Sequence, residues 1–295
     1  MANKENPKSV SKSLINILCC PFCQRDLILK ENGLTCSSGT HGVFKDENDK
    51  LFLIESKNSS EYEKKHLSGV NILKSFLKKY PKIYYIIWYI FCPVWLTGKR
   101  PSSVAKMLPE AAKIINLGSG PRRLHPSFIN VDVMPFPEVD IIADATKLPF
   151  KDSSLDAVVN ESLFEHVPDP ISVLKEINRV LKPGGILYVS VPFMTPYHGS
   201  PDDFSRWTKS GLRSFFSNFN LIEDGVDGGP WSALLNFLAY WFGTIFSFGS
   251  KKIAPFLAFI CMLILGPLKI FDFFFARLPG SDAVAAQLYF IGKKK

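Results

Sequence analysis

The sequence predicts an α/β fold built around a mostly parallel sheet, and three observations support this prediction. First, short apolar strands alternate with a helical segment over residues 113–191. Second, the first strand runs directly into the glycine turn Gly118-Ser119-Gly120. Third, acidic or amide side chains follow the ends of successive strands. Because parallel sheets bind their ligands beyond the carboxyl ends of the strands, the sequence also predicts a small-molecule pocket there.

The predicted elements follow one another in a regular order. Between residues 171 and 181, apolar side chains recur at helical spacing, which predicts a helix. The run Lys182-Pro183-Gly184-Gly185 ends this helix and turns the chain. The predicted strands are 115–117, 128–133, 139–143, 155–159 and 186–191.

Five motifs stand in order within residues 113–226, namely INLGSG, NVDV, DATKLPFKDSSLDAVV, FEHVPDP and EINRVLKPGGILYVSVP. In combination they resemble the class I S-adenosylmethionine-dependent methyltransferases, specifically the methyltransferase type 11 group. The resemblance implies a Rossmann-like seven-stranded sheet whose last two strands form a hairpin, with S-adenosylmethionine as the cofactor. Residues 220–226 and 286–291 suit those last two strands.

The same resemblance implies a role for each pocket residue. The glycine turn would lie against the methionine part of the cofactor, and Asp132 would accept hydrogen bonds from the ribose hydroxyls. Asp144 and its neighbour would flank the adenine, and an Asn-Glu pair would line the pocket under the methyl group. A structural role as a helix cap stays open for both aspartates. The implied cofactor residues are Gly118, Ser119, Gly120, Asp132, Asp144, Ala145, Asn160 and Glu161.

One departure from the family concerns the first crossover. Only residues 121–127 separate the glycine turn from the next strand, whereas a parallel crossover normally takes roughly ten or more residues. We therefore expect the usual first helix to be shortened or replaced. This compressed form resembles a subset of methyltransferases found with polysaccharide and glycolipid synthesis enzymes. Sequences of that subset also carry counterparts of residues 191–193 and 197–208.

The segment after the last parallel strand supplies the predicted catalytic residues. Methyl transfer from a sulfonium is an in-line displacement, and a hydroxyl or carbon acceptor must also lose a proton. His198 is the predicted base by residue type and position. Asp202, Asp203 and Arg206 could orient it, or bind acceptor hydroxyls or a phosphate. The alternative is a loop held by an aspartate–arginine pair, with His198 merely exposed.

Glu165-His166 is a rival acid–base pair to His198, although its place at the start of a helix-bearing loop also suits a structural role.

Other features of the sequence exclude some classes of methyl acceptor. No Asn-Pro-Pro-Tyr type signature follows the fourth strand, which disfavours exocyclic base amines as acceptors. No cysteine lies near the predicted pocket, which argues against thiolate-dependent methylation of a pyrimidine carbon.

Four metal-ligating side chains near the start of the chain predict a small zinc-ribbon-like module. The expected ligands are Cys20, Cys23, Cys36 and His41, in two knuckles separated by an Asn32-Gly33 hairpin signal. Two thiolates from one knuckle and a Cys and a His from the other can close a tetrahedral zinc site. The second knuckle departs from the usual pair of cysteines and Cys19 could compete with Cys20, so a degenerate, metal-free ribbon remains the alternative.

Uncharged apolar runs predict contact with a membrane. Residues 231–250 and 253–268 are uncharged and are separated by Lys251 and Lys252. Because this block is inserted before the last strand, both of its ends must lie on the side of the cofactor domain. A spanning hairpin would carry the two lysines across the membrane, so an interfacial or re-entrant helical pair at 231–271 is preferred. A soluble cap over the acceptor pocket is the alternative.

Composition sets the remaining expectations. The chain has 295 residues, of which 46% are hydrophobic, and a net charge of +8 that suits an anionic surface. We expect a reduced, cytoplasmic setting at the inner face of a membrane and a small-molecule, glycan or lipid-linked acceptor. An rRNA or tRNA methyltransferase and a catalytically silent scaffold are the alternatives, with nucleic acid the less favoured partner. The predicted divisions are 1–55 (ribbon), 56–112 (linker and apolar or amphipathic helices), 113–230 (cofactor-binding core), 231–280 (apolar insertion) and 281–295 (last strand and basic tail).

Overall fold

A computed structural model of the chain describes residues 14–30, 33–47, 50–54, 90–199 and 202–295. The predicted amphipathic helix of the linker and half of the predicted hairpin turn, Asn32, lie outside these residues. The strands are β1 Leu27–Lys30, β2 Gly33–Cys36, β3 Val43–Glu47, β4 Lys50–Phe52, β5 Ile114–Leu117, β6 Phe128–Asp132, β7 Ile141–Ile142, β8 Leu155–Glu161, β9 Leu181–Pro192, β10 Phe219–Gly228 and β11 Gln287–Lys294. The α-helices are α1 Pro170–Val180, α2 Lys209–Phe215, α3 Pro230–Phe246, α4 Ile253–Leu265 and α5 Asp272–Phe275.

Seven strands form the central sheet, in the order β7-β6-β5-β8-β9-β11-β10. The first five of these run parallel to one another, while β11 is antiparallel to both β9 and β10. The predicted Rossmann-like class I sheet with a terminal hairpin is therefore confirmed. Because β5 pairs in parallel with both β6 and β8, the carboxyl ends of these strands lie side by side, which gathers the predicted pocket residues at one edge.

The crossover between β5 and β6 contains no helix over residues 121–127, in agreement with its short length. A 3-10 helix at Pro101–Met107 packs instead on this face of the sheet, where Val104 is fully buried beside Phe128 and Tyr188. The opposite face buries the larger apolar cluster, including Val173 and Ile177 of α1. The usual first helix is thus replaced by a segment that precedes the sheet in the chain.

The ribbon continues the central sheet at its β7 edge. Strands β1 to β4 form an antiparallel sheet, and β4 then pairs in parallel with β7. Lys50 Nζ donates to the carbonyl oxygens of Phe136, Pro137 and Val139 at 2.7–2.9 Å. The ribbon therefore supplies the neighbour that the short edge strand would otherwise lack.

The insertion between β10 and β11 is an α-helical hairpin. Helices α3 and α4 pack tightly at Gly243, where a Cβ atom would lie 2.6 Å from the carbonyl oxygen of Ala254. Asp272 anchors the hairpin, because its carboxylate accepts hydrogen bonds from the backbone N–H groups of Trp231 and Ser232 at 2.9 and 2.8 Å. By length and composition, one helical stretch of the described chain, Ile253–Phe275, could cross a membrane. Of an 18-residue apolar segment within this stretch, 17% is buried inside the protein.

Candidate functional site

The glycine turn and Asp132 form the first half of the site. Gly118 and Gly120 adopt left-handed backbone conformations, with φ of 71° and 57°. Gly120 faces open space, since a Cβ atom there would meet nothing within 4 Å. The Asp132 carboxylate accepts hydrogen bonds from the N–H groups of Gly120 and Met134, both at 2.8 Å. Neighbouring strands thus hold the turn and the carboxylate together around a space that is open to a ligand.

Asp132 keeps unused capacity as a hydrogen-bond acceptor. Each carboxylate oxygen receives one backbone hydrogen bond, and each has a second lone pair. Burial raises the pKa of Asp132, while the backbone donors oppose this shift. The geometry therefore allows ribose hydroxyls to bind without displacing the contacts that shape the turn.

Asp144 lies at the end of β7 and holds its own loop. Its Oδ1 accepts hydrogen bonds from the backbone N–H and the hydroxyl of Thr146, at 2.8 and 2.7 Å. Ala145 packs against the apolar core. This arrangement is not the helix cap that the sequence left open, because no helix begins at Asp144; an aspartate that bonds to its own turn shapes the loop backbone instead. The loop is held in a fixed form at the predicted adenine end.

Two buried amide oxygens at the strand ends have no hydrogen-bond partner among the described residues. Asn160 is 0% exposed, and its Nδ2 donates to the Leu117 carbonyl oxygen at 2.8 Å, while its Oδ1 is unsatisfied. Gln287 Nε2 donates to the Ser162 hydroxyl at 3.1 Å, and its Oε1 is also unsatisfied. Because an unpaired buried acceptor is costly, these atoms indicate a ligand that brings hydrogen-bond donors.

Sequence reasoning missed a buried acidic network beside Glu161. Glu161 forms an ion pair with Arg122, a residue of the short crossover. Asp227, at the end of β10, accepts a hydrogen bond from the Ser190 hydroxyl. Burial and the nearby Glu161 raise the pKa of Asp227 to about 7. The signal that could have found Asp227 is its position just after a predicted strand, the feature that identified Asp132 and Asp144.

The His198 loop folds onto the end of β9. Asp203 accepts from the His198 backbone N–H at 2.9 Å and forms a bidentate ion pair with Arg206. Burial alone would raise the pKa of Asp203, but the ion pair with the Arg206 guanidinium lowers it to about 2. Asp202 contributes its backbone carbonyl oxygen, 2.7 Å from His166 Nδ1. Of the two predicted aspartates, Asp203 therefore forms the described ion pair with the arginine.

Glu165 joins this loop to the rest of the site. It is 0% exposed, and its Oε1 lies 3.8 Å from His166 Nε2 and 3.9 Å from His198 Nε2. Neither carboxylate oxygen has a hydrogen-bond partner among the described residues. Burial raises the pKa of Glu165 to about 7 and lowers the pKa of His198. The rival acid–base pair of the sequence analysis and the predicted base thus form one cluster, rather than two alternative sites.

The predicted metal ligands of the ribbon also come together. The four ligand atoms of Cys20, Cys23, Cys36 and His41 lie within 4.8 Å of one another. Cys20 Sγ is 3.5 Å from His41 Nδ1, and the Sγ atoms of Cys23 and Cys36 are 3.3 Å apart. Tetrahedral metal–sulfur bonds of about 2.3 Å would place such atoms at similar separations. The Cys/His cluster is compatible with the predicted zinc-ribbon-like module.

Comparison with known proteins identifies the central segment. Residues 124–189 match the family model described as a methyltransferase domain. They belong to a methyltransferase domain. The matched region includes Asp132, Asp144, Asn160 and Glu165, whereas the glycine turn and the His198 loop flank it. The domain therefore contributes the central strands, and the adjoining segments complete the site.

Relatives of this methyltransferase domain are similar over part of their length. A demethylmenaquinone methyltransferase of Lysinibacillus sphaericus is 43% identical over 56 residues, which cover 19% of this chain and 24% of that protein. An uncharacterized methyltransferase of Mycobacterium sp. (strain KMS) is 40% identical over 105 residues, which cover 31% and 42%. The chain thus spans less than half the length of these relatives. Burkholderia thailandensis 1,6-didemethyltoxoflavin-N1-methyltransferase, solved with S-adenosylhomocysteine, has a TM-score of 0.45 at 13% identity, covering 80% and 90% of the chains.

Proposed function

We propose that the protein is an S-adenosylmethionine-dependent methyltransferase that acts on a lipid-linked, glycan or other small acceptor at the cytoplasmic face of a membrane. The observation that carries the methyltransferase assignment is one continuous strand-end site, formed by the matched methyltransferase domain and the glycine turn that flanks it. The glycine turn and Asp132 lie at one end of this site, and Asn160 and Glu161 lie at the next strand.

The residues present fit S-adenosylmethionine. Asp132 offers acceptor lone pairs for ribose hydroxyls, and Gly120 leaves room for close approach of the ligand. The unsatisfied oxygens of Asn160 and Gln287 fit the hydrogen-bond donors of the cofactor, such as its ammonium group. The donor supplies an electrophilic methyl group on a sulfonium.

For this reaction the protein has to align the acceptor with the methyl group and, when the acceptor is a hydroxyl, to accept its proton. An acceptor lone pair forms the new bond to the methyl carbon while the carbon–sulfur bond breaks and its electrons remain on sulfur. A hydroxyl acceptor also loses its proton, and His198 is the proposed recipient. Arg206 and Asp203 hold the His198 backbone in place, and Asp202 is proposed to assist through its contact with His166.

The membrane part of the proposal rests on the surface of the α-helical hairpin. Phe237 and Trp241 of α3 and Phe256 of α4 are exposed, and Phe248 at the tip is 93% exposed. Such a large apolar surface is unusual for a freely soluble domain. Lys251 and Lys252 stand exposed beside the tip, where they can contact anionic headgroups. An interfacial hairpin beside the site would favour acceptors that are presented by a membrane.

We further propose that the ribbon binds a structural zinc ion through Cys20, Cys23, Cys36 and His41. The three sulfurs and one ring nitrogen form a ligand set of the kind zinc prefers, with no open position needed for chemistry. Cys19 is disfavoured as a competing ligand because the ligand atoms that come together belong to Cys20, Cys23, Cys36 and His41, whereas the buried Cys19 thiol lies beside Arg179.

A transfer assay tests the enzyme proposal. Tritiated S-adenosylmethionine should label a lipid or glycan fraction of a membrane extract and leave purified RNA unlabelled. His198→Gln should lower turnover by about 100-fold or more, in the range of general-base losses, while S-adenosylhomocysteine still binds in calorimetry. Label in RNA would favour the nucleic-acid alternative, and absence of cofactor binding would favour a silent scaffold.

Vesicle cosedimentation tests the membrane proposal. The triple variant Phe237→Ser, Trp241→Ser, Phe248→Ser should bind anionic phospholipid vesicles at least about 10-fold more weakly than the unchanged protein, because each aromatic side chain contributes apolar burial at the interface. Ile171→Ser is the matched control, since Ile171 is an exposed apolar residue on α1, away from the hairpin. Equal binding of the triple variant and the control would contradict the interfacial role.

A further inference from the structure

Three hydrogen-bond acceptors converge beside the cofactor site. They are Oε1 of Glu165 and the Nε2 atoms of His166 and His198, which lie 3.8 and 3.9 Å from Oε1. Each of the three residues offers a ligand atom within 4.8 Å of the others. Glu165 and His166 come from the 3-10 helix that follows β8, and His198 comes from the loop after β9. The carboxyl ends of two adjacent strands therefore deliver all three atoms to one point.

The ring nitrogens that face away from this point fix the tautomers. His166 Nδ1 lies 2.7 Å from the Asp202 carbonyl oxygen, and a carbonyl oxygen can only accept, so Nδ1 carries the proton. His198 Nδ1 lies 3.3 Å from the Pro196 carbonyl oxygen and 3.5 Å from both Asp203 Oδ2 and the Arg206 Nη2 donor. Two acceptors against one long donor contact favour a proton on this nitrogen, and in the neutral rings both Nε2 atoms then present lone pairs toward Glu165.

Such a convergence calls for a positive species at its centre. Glu165 is fully buried, and neither of its oxygens has a close hydrogen-bond partner among the described residues; the neighbouring Ser162 hydroxyl stabilises the carboxylate in part but is neutral. The nearest guanidinium, Arg206, is already engaged in a bidentate ion pair with Asp203. A buried carboxylate that faces two lone pairs without a cation or a proton would be strongly destabilised.

We propose that Glu165, His166 and His198 form a divalent transition-metal site with open coordination positions. Two imidazoles and one carboxylate suit Fe²⁺, Co²⁺, Zn²⁺ or Mn²⁺ better than Ca²⁺ or Mg²⁺. Ligand atoms about 2.1 Å from a tetrahedral metal lie roughly 3.4 Å apart, so the observed 3.8 and 3.9 Å require a contraction of about 0.5 Å. The contacts of both Nδ1 atoms are those that commonly orient metal-bound histidines.

The metal site itself does not depend on the proposed function, but the reaction that we assign to it does. An open metal position would bind an oxygen of the acceptor and lower the pKa of a hydroxyl there, so the inferred acceptor class is an alcohol, phenol or vicinal diol. With a metal bound, the proton would pass to solvent and His198 would serve as a ligand, so the role of proton acceptor proposed above belongs to the metal-free site. A shared proton between Glu165 and the histidines is the competing explanation of the same geometry.

Cobalt titration of untagged, chelator-treated, full-length protein tests the site. Two Co²⁺ ions per chain are expected, one at the ribbon with intense thiolate charge-transfer absorption and one at the Glu165 cluster with only weak d–d bands. Cys20→Ser, Cys23→Ser should lose the first signal alone. His166→Gln, His198→Gln should lose the second alone, and His125→Gln, which alters a histidine outside the cluster, should keep both.

Two outcomes would overturn the metal site. One is a wild-type protein that binds a single Co²⁺ with charge-transfer absorption, and the other is a second ion that persists in His166→Gln, His198→Gln. The variant Glu165→Gln provides a check that is independent of the histidines, and it should weaken the second ion by at least about 10-fold. Binding of S-adenosylhomocysteine is measured on the same samples, so failure of the methyltransferase proposal would leave a separate signature: two bound metals and no cofactor affinity.

Discussion

Asp132→Ala is expected to lower the affinity for S-adenosylhomocysteine by about 100-fold or more. Two hydroxyl-to-carboxylate hydrogen bonds are lost, and each such charge-assisted bond contributes about 1.5–3 kcal/mol. The lost free energy of binding, roughly 3–6 kcal/mol, corresponds to a factor of at least 100 in Kd. Isothermal titration calorimetry measures this directly, without any knowledge of the acceptor.

The control for this prediction has to separate ligand contacts from the shape of the turn. Asp132 also holds the backbone N–H groups of Gly120 and Met134, so its removal can loosen the turn itself. Asp132→Asn keeps one acceptor oxygen of the same shape and should retain an intermediate affinity. Asp156→Ala removes an aspartate paired with Lys182 at the opposite ends of the strands, and its affinity should be unchanged. Wild-type affinity in Asp132→Ala would exclude the ribose role.

The sequence predicted the fold well because its signals were local. Alternating apolar strands and the glycine turn each reflect a short-range rule, and the β10–β11 hairpin followed from the family resemblance. The turn predicted at residues 182–185 is instead a bulge within β9, where the pairing with β8 shifts register and Gly184 has a φ of 75°. The strand predicted at 139–143 is paired only at Ile141–Ile142, because the partner strand β4 is itself only three residues long. The length of an edge strand depends on its neighbour, and the sequence did not indicate that the ribbon would be this neighbour.

The site was predicted less completely, for a physical reason. Glycines and acidic residues at strand ends can be found from spacing, but the partners of a buried carboxylate depend on loops that meet only in the folded chain. Glu165 and His198 are 33 positions apart and come together because β8 and β9 are adjacent. The same reasoning explains why Arg122 and Asp227 were missed, since each takes its role from a neighbour on another strand.

The largest stability effect is expected from loss of the proposed ribbon metal. The ribbon contributes only a few large apolar side chains to the core that it shares with the methyltransferase domain, chiefly Leu18, Leu27, Leu34, Phe44, Leu51 and Leu53. A structural zinc supplies on the order of 10 kcal/mol to modules of this kind. Cys20→Ser, Cys23→Ser should therefore unfold the ribbon while the methyltransferase domain stays folded, which hydrogen exchange resolved along the chain would detect as protection lost in β1 to β4 and kept in β5, β8 and β9.

Unfolding of the ribbon should also weaken cofactor binding, because backbone hydrogen bonds connect the ribbon to the strands that carry the cofactor site. Cys19 N–H donates to the Pro149 carbonyl oxygen at 3.0 Å, and β4 pairs with β7, the strand that leads directly into Asp144. Without these contacts the loop at Asp144, the predicted adenine end of the site, loses its support. We therefore expect the affinity for S-adenosylhomocysteine to fall by about 10-fold, or ~1.4 kcal/mol. Cys19→Ala is the matched control, since it removes a neighbouring buried thiol without touching the proposed ligands. The assigned ligand set would be refuted if Cys20→Ser, Cys23→Ser kept the hydrogen-exchange protection of the unchanged protein, or if Cys19→Ala lost the metal. Unchanged affinity for S-adenosylhomocysteine in the double variant would refute the link between the ribbon and the pocket.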